Sequence, residues 1–144
     1  MEVIEIRQLI EPRAASLAAK RVTPQELEEL KGCMEGFGQH LDENDLPGMI
    51  FEDSQFHRLI ANATKNKTLT LLMNTITRYL PLVWKATLRL PQRPQKTIIE
   101  HQEIYNALIN HDPDAANDAM VLHLENAFTE MHMIFNSQAS EIAE

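Results

Sequence analysis

Three histidines and an aspartate sit at the centres of apolar helical stripes, so a chain that buries those stripes turns all four polar side chains inward. Asp53 and His57 are four residues apart, which places them about 40° apart on one helix face. Met49, Ile50, Phe56 and Ile60 surround them on the same wheel, while Glu52 and Arg58 point elsewhere. His101 falls among Ile98, Ile104, Tyr105 and Leu108; His123 shares its face with Ala116, Ala119, Met120, Ala127 and Ile134. Burying a lone carboxylate is costly unless it is paired or coordinates a metal. Any single inward histidine can be a core residue bonded to a backbone carbonyl, and a buried Asp–His pair can satisfy itself. The set of four reads instead as metal ligands, two from one helix and one from each of two others.

Those stripes belong to an all-helical chain. Glycine is scarce, strand-like alternation is absent, and helix formers fill the segments between clear breaks. A first helix is expected from about Val3 to Lys20, with a possible kink at Pro12. Thr23-Pro24-Gln25-Glu26 is a capping box with proline in the first turn, and opens a second helix that fades near Asp42-Glu43-Asn44. The third runs from Leu46 to Ala61, and the fourth from Lys67 to about Leu90 with a kink at Pro81. Pro91-Gln-Arg-Pro94 is a break. Thr97-Ile-Ile-Glu100 reads as a second capping box that opens a fifth helix to about Asn110. Asp112-Pro113 caps a sixth that reaches about Ser137. The short connections favour an antiparallel bundle of six to seven helices around a central metal-containing cavity, a single domain over residues 1–144.

Charge and composition then exclude several functions. The net charge of −8 and the lack of a Lys/Arg stripe leave this chain no surface suited to a nucleic-acid backbone. Arg89, Arg93 and Lys96 form a small cluster beside Pro91 and Pro94 that reads as a solvated loop. No apolar run is long enough to span a membrane, the N-terminus lacks a signal-peptide core, and the single cysteine, Cys33, cannot form an internal disulfide. The expected location is therefore the cytoplasm. Enzyme motifs fare poorly. No glutamate lies three residues before a histidine, His-Glu-x-x-His is absent, and there is no phosphate loop or nucleophile elbow. Cys33 reads as a spectator thiol, and His40, His111 and His132 as non-ligands, so no catalytic residue is assigned.

With these residues placed, the pattern resembles the C-terminal effector-binding domain of GntR-type bacterial transcription regulators, the FadR-like or FCD group. The resemblance rests on Glu5-Ile-Arg7-Gln-Leu-Ile-Glu11-Pro with Ala14, Ala15, Leu17, Ala18 and Ala19; on Asp53-Ser-Gln-Phe56-His57-Arg-Leu-Ile60; on Asn66-Lys-Thr-Leu69; on Glu100-His101-Gln-Glu-Ile104; and on Ala119-Met120-Val-Leu-His123. It implies a bundle with a divalent metal held by Asp53, His57, His101 and His123, and a small organic acid over or on that metal. A nitrogen–oxygen set of this kind suits Zn²⁺, Ni²⁺, Co²⁺, Fe²⁺ or Mn²⁺ without choosing among them. It also implies a homodimer, and DNA binding only through an N-terminal winged helix-turn-helix that is not present in this chain. Arg7 is the first candidate for a second anion anchor, with a surface ion pair to Glu11 as its equal alternative; Asn74 and Arg78 are further candidates. A metal-dependent enzyme acting on a small carboxylate and a purely structural metal are the competing readings.

Overall fold

The computed structural model describes residues 2–141, with side chains except at 82, 134, 135 and 137–141. Ile134, placed on the His123 face by its spacing, lies outside the described side chains. Seven helices make up the described residues: α1 (Glu2–Arg21), α2 (Pro24–Asp42), α3 (Leu46–Ala63), α4 (Lys67–Thr77), α5 (Pro81–Thr87), α6 (Arg93–Ile109) and α7 (Pro113–Glu141). None is long and apolar enough to cross a membrane.

α1 is the central element. It packs along α7 and also touches α3, α6 and α4. Ala14, Ala15, Ala18 and Ala19 are buried along it, and their small side chains let the neighbouring backbones approach closely. The helix continues through Pro12, which is itself buried. α2 and α3 form a hairpin, and α6 lies against both α2 and α7. One core cluster joins Leu30, Phe56, Ile60, Ile104, Leu108, Met120 and Leu124 with the α1 alanines. A second joins Phe37, Met49, Leu80, Trp84 and Leu88 at the other end. The polar centre lies between these two cores, with Asp53, His57, His101 and His123 only 3%, 1%, 2% and 4% exposed.

The caps are mostly those the sequence announces. Thr23 and Glu26 form the reciprocal capping box at α2, Asp45 accepts from Gly48 N at α3, Asn66 caps α4, and Asp112 accepts from the amides of Asp114 and Ala115 at α7. Two expectations are corrected. The fourth helix is two helices, because Pro81 has no N–H to extend the ladder. The chain closes α4 through tight bonds over Arg78, Tyr79 and Leu80, and starts again at Pro81. The Thr97–Glu100 pair is not a cap either. α6 has already begun at Arg93, with Pro94 in its first turn, and Thr97 is buried inside it. Glu100 is thereby free to serve elsewhere.

Candidate metal centre

α3 supplies Asp53 and His57 one turn apart, α6 supplies His101 and α7 supplies His123. One ligand atom from each residue lies within 4.8 Å of the others. His57 Nε2 is 3.3 Å from His123 Nε2, His101 Nε2 is 3.3 Å from Asp53 Oδ1, and His57 Nε2 is 4.0 Å from Asp53 Oδ2. The His101 ring stacks on Phe56, centroids 4.0 Å apart and planes 9° apart. The structure therefore brings together all four residues predicted as ligands.

Behind two of these histidines stands a carboxylate. His57 Nδ1 is 2.5 Å from Glu11 Oε2, and His123 Nδ1 is 2.7 Å from Glu100 Oε2. Each carboxylate is in turn gripped by an arginine. Arg7 pairs with Glu11 within α1. Arg93 donates Nη2 and Nη1 to the two oxygens of Glu100, at 2.5 and 3.1 Å, and Asn126 adds a third donor at 2.8 Å. Burial alone would raise both carboxyl groups. The Arg7 guanidinium, together with the hydrogen bonds from His57 and Arg7, outweighs it and holds Glu11 well below the usual carboxylate range; hydrogen bonds from His123 and Arg93 bring Glu100 down to about 2. Burial above all pushes His101 well below its ordinary value. Burial also lowers His123, against the pull of Glu100. Neutral imidazole is the form that ligates metals.

The donor set fits a divalent cation. A carboxylate only accepts, so the Nδ1 atoms of His57 and His123 carry the hydrogens in these bonds; at His57 the 2.5 Å contact to Glu11 prevails over the longer, 3.3 Å approach of Arg7 Nη2 to the same nitrogen. Their Nε2 atoms are then bare lone pairs facing each other at 3.3 Å, an arrangement that repels unless a cation lies between them. Asp53 Oδ2 and His101 Nε2 are buried with no hydrogen-bond partner, and a metal there would supply what both lack.

A narrow crevice, with about 20 Å³ open to a water-sized body, leads onto this centre. Asp53 and His123 reach it from the polar centre, and Arg7 and Arg93 also line it. Val83, Trp84, Thr87 and Leu88, from α5 and its C-terminal cap, form another part of its wall. The Arg7 guanidinium lies 5.5 Å from the centre of the Trp84 ring. The Arg7–Glu11 pair is thus real but buried, not on the surface, and the same guanidinium faces the crevice. Arg93, read from sequence as part of a solvated loop, is 2% exposed in α6 and bonded to Glu100 and Glu130.

Asn74 and Arg78 lie elsewhere, in a separate depression with Ser54, Arg58 and Thr77. Arg58 Nε donates to Asn74 Oδ1 at 3.1 Å. Among the other histidines, His40 pairs with Asp45, His111 Nδ1 meets the Ala19 carbonyl and His132 packs on Phe128. Cys33 is half-buried, and burial, then the Glu52 charge, pushes its thiol up to about 12. Glu11, Glu100 and Arg93 are the residues that sequence reasoning missed. A signal existed for Glu11, since Arg7, Glu11, Ala14 and Ala18 share one wheel face with the small residues that allow close packing.

Comparison with known proteins bears on the chain as a whole. The family described as the FCD domain matches residues 2–126. This chain belongs to the FCD-domain family of GntR-type regulators. The HTH-type transcriptional regulator LutR of Bacillus subtilis (strain 168) is 31% identical over 130 residues, covering 87% of this chain and 58% of LutR. The Exu regulon transcriptional regulator of Escherichia coli (strain K12) is 32% identical over 148 residues, covering 97% and 53%. The solved structure of Streptococcus agalactiae GntR superposes with a TM-score of 0.75 at 27% identity, covering 87% of this FCD domain and 55% of that chain. The domain spans little more than half the length of these relatives, which are named as transcription regulators and not as enzymes.

Proposed function

We propose that this FCD domain is the sensing region of a transcription regulator and that it binds a small organic acid at a divalent metal held by Asp53, His57, His101 and His123. The observation that carries the reading is the convergence of four buried ligand atoms within 4.8 Å of one another, two of them with no other partner, beside a crevice lined by Arg7 and Arg93. A bound metal supplies a fixed positive charge, with coordination positions left open to a carboxylate. The protein supplies the rest. Arg7 presents N–H donors toward the crevice as the second anchor of the anion. Trp84, Val83 and Leu88 offer an apolar wall for the ligand's carbon skeleton. Zn²⁺, Ni²⁺, Co²⁺, Fe²⁺ and Mn²⁺ all suit the donor set. In the whole regulator a homodimer in the cytoplasm would carry DNA-binding domains whose spacing the ligand alters.

The test has two parts. Elemental analysis of tag-free protein should find near-stoichiometric transition metal in the wild type and none in His101→Ala. Titration of the loaded protein with glycolate, L-lactate or citrate should then change the emission of Trp84, the single tryptophan, and the change should be weakened by Arg7→Gln. No metal in the wild type after incubation with Zn²⁺ or Ni²⁺ overturns the metal reading. Tight metal with no response to any short carboxylate favours a structural ion. Turnover of the acid would favour an enzyme.

A further inference from the structure

Three histidines face the centre, but among the described residues only two have a carboxylate behind them. The two relays mirror each other: Arg7–Glu11–His57 joins α1 to α3, and Arg93–Glu100–His123 joins α6 to α7. Both glutamates are nearly enclosed, with side chains 2% and 10% exposed. An arginine partner alone would satisfy a buried carboxylate, so the imidazole contact is an additional feature of each. His101 has no such support; the face of Phe56 fixes its ring instead.

We infer that Glu11 and Glu100 are positioning residues of the metal centre, each holding the hydrogen of its histidine on Nδ1 so that Nε2 is offered to the ion. The inference rests on the metal reading above and extends it to residues outside the ligand set. An acceptor on the far nitrogen fixes the tautomer, aims the ring and raises ligand basicity, and losing such a partner typically weakens metal binding about 10- to 100-fold. Arg7 and Arg93 act one step further out by gripping the two carboxylates and holding them in place. The ligands are then unequal: His57 and His123 are preset, whereas His101 is oriented only by ring packing.

Nitrogen-15 NMR of imidazoles in metal-free wild-type protein reads the tautomers directly. His57 and His123 should both carry hydrogen on Nδ1; hydrogen on Nε2 in either overturns the assignment for that relay, whatever the metal does. Chelator competition with Zn²⁺ should show Glu100→Leu and Glu11→Leu weakened about 10- to 100-fold, with the fixed tautomer lost. Glu100→Gln keeps an acceptor oxygen and should recover the tautomer and part of the affinity, which keeps the test open if the leucine variant does not fold. Glu130→Gln is the control, because Glu130 contacts Arg93 and Lys96 but no histidine. Its Zn²⁺ affinity should match wild type. Equal weakening in Glu130→Gln, or unchanged affinity and tautomer in the Glu11 and Glu100 variants, would overturn the inference. A wild type that binds no Zn²⁺ sinks the metal reading, and the tautomers still decide the relay.

Discussion

At the scale of single residues, Cys33 shows how surroundings decide chemistry. Its thiol is pushed up to about 12 by burial and by Glu52, so at neutral pH it stays protonated and poorly nucleophilic. Alkylation by iodoacetamide should be slow at pH 8 and should keep rising about tenfold per pH unit well past pH 9, where an ordinary thiol levels off. Glu52→Gln should speed it. The linkage has a definite sign: between about pH 9 and 12 the unfolded chain's thiol ionises before the folded one, so this group's contribution to stability is lost as pH rises. Phe56 offers a packing counterpart. It is 1% exposed and carries the His101 ring, so Phe56→Ala should cost about 3–5 kcal/mol in chemical denaturation. The four inward polar residues were legible from spacing alone. Glu11, Glu100 and Arg93 were not, because each has an ordinary local explanation: a helix ion pair, a capping box and a basic loop. A wheel ranks faces by hydrophobicity, and it cannot show that a charged side chain is enclosed by a neighbour distant in sequence.

Helices announce their ends more reliably than their interiors. The Thr23–Glu26 box forms as the sequence predicts, and Thr23→Ala should lower stability by about 1 kcal/mol in urea unfolding. Burial would raise the Glu26 carboxyl, but bonds to Lys65 and Thr23 lower it; its share of stability is therefore present above pH 4.5 and is lost as pH falls below it. Gly32 sits inside α2 with open space where a Cβ would go. Gly32→Ala should therefore stabilise by about 0.5–1 kcal/mol in the same assay. The Thr97–Glu100 box failed for a positional reason. The motif carries no information about whether a helix has already started, and Arg93-Pro94 had started it. The division of the fourth helix was half legible, since Pro81 marked the place but not whether the chain would bend or stop.

For the whole molecule, the polar centre is where three helices must agree, so an ion there should act as a tether as well as a sensor. Protein saturated with metal to about 100 times its Kd gains about 2.7 kcal/mol, and each kcal/mol moves the midpoint of a domain this size by about 2–4 °C. Stripping the metal with a chelator should thus lower Tm by about 5–10 °C by calorimetry, and His101→Ala should show no such difference. Helical class and family resemblance could both be read from the chain because the spacing of the four polar residues and the helix stripes reinforce each other. The crevice could not, since its wall depends on how α5 lies against α1 and α7.

The order in which the ligands occur along the chain has a consequence for synthesis. Asp53 and His57 leave the ribosome early, His101 follows, and His123 comes last, on the final helix. A nascent chain that has emerged only through α6 holds three of the four ligands, and its Glu100 has no imidazole to grip. On the metal reading, the complete set of four ligands exists only once α7 is out, so an ion held by all four would be among the last parts fitted to the bundle.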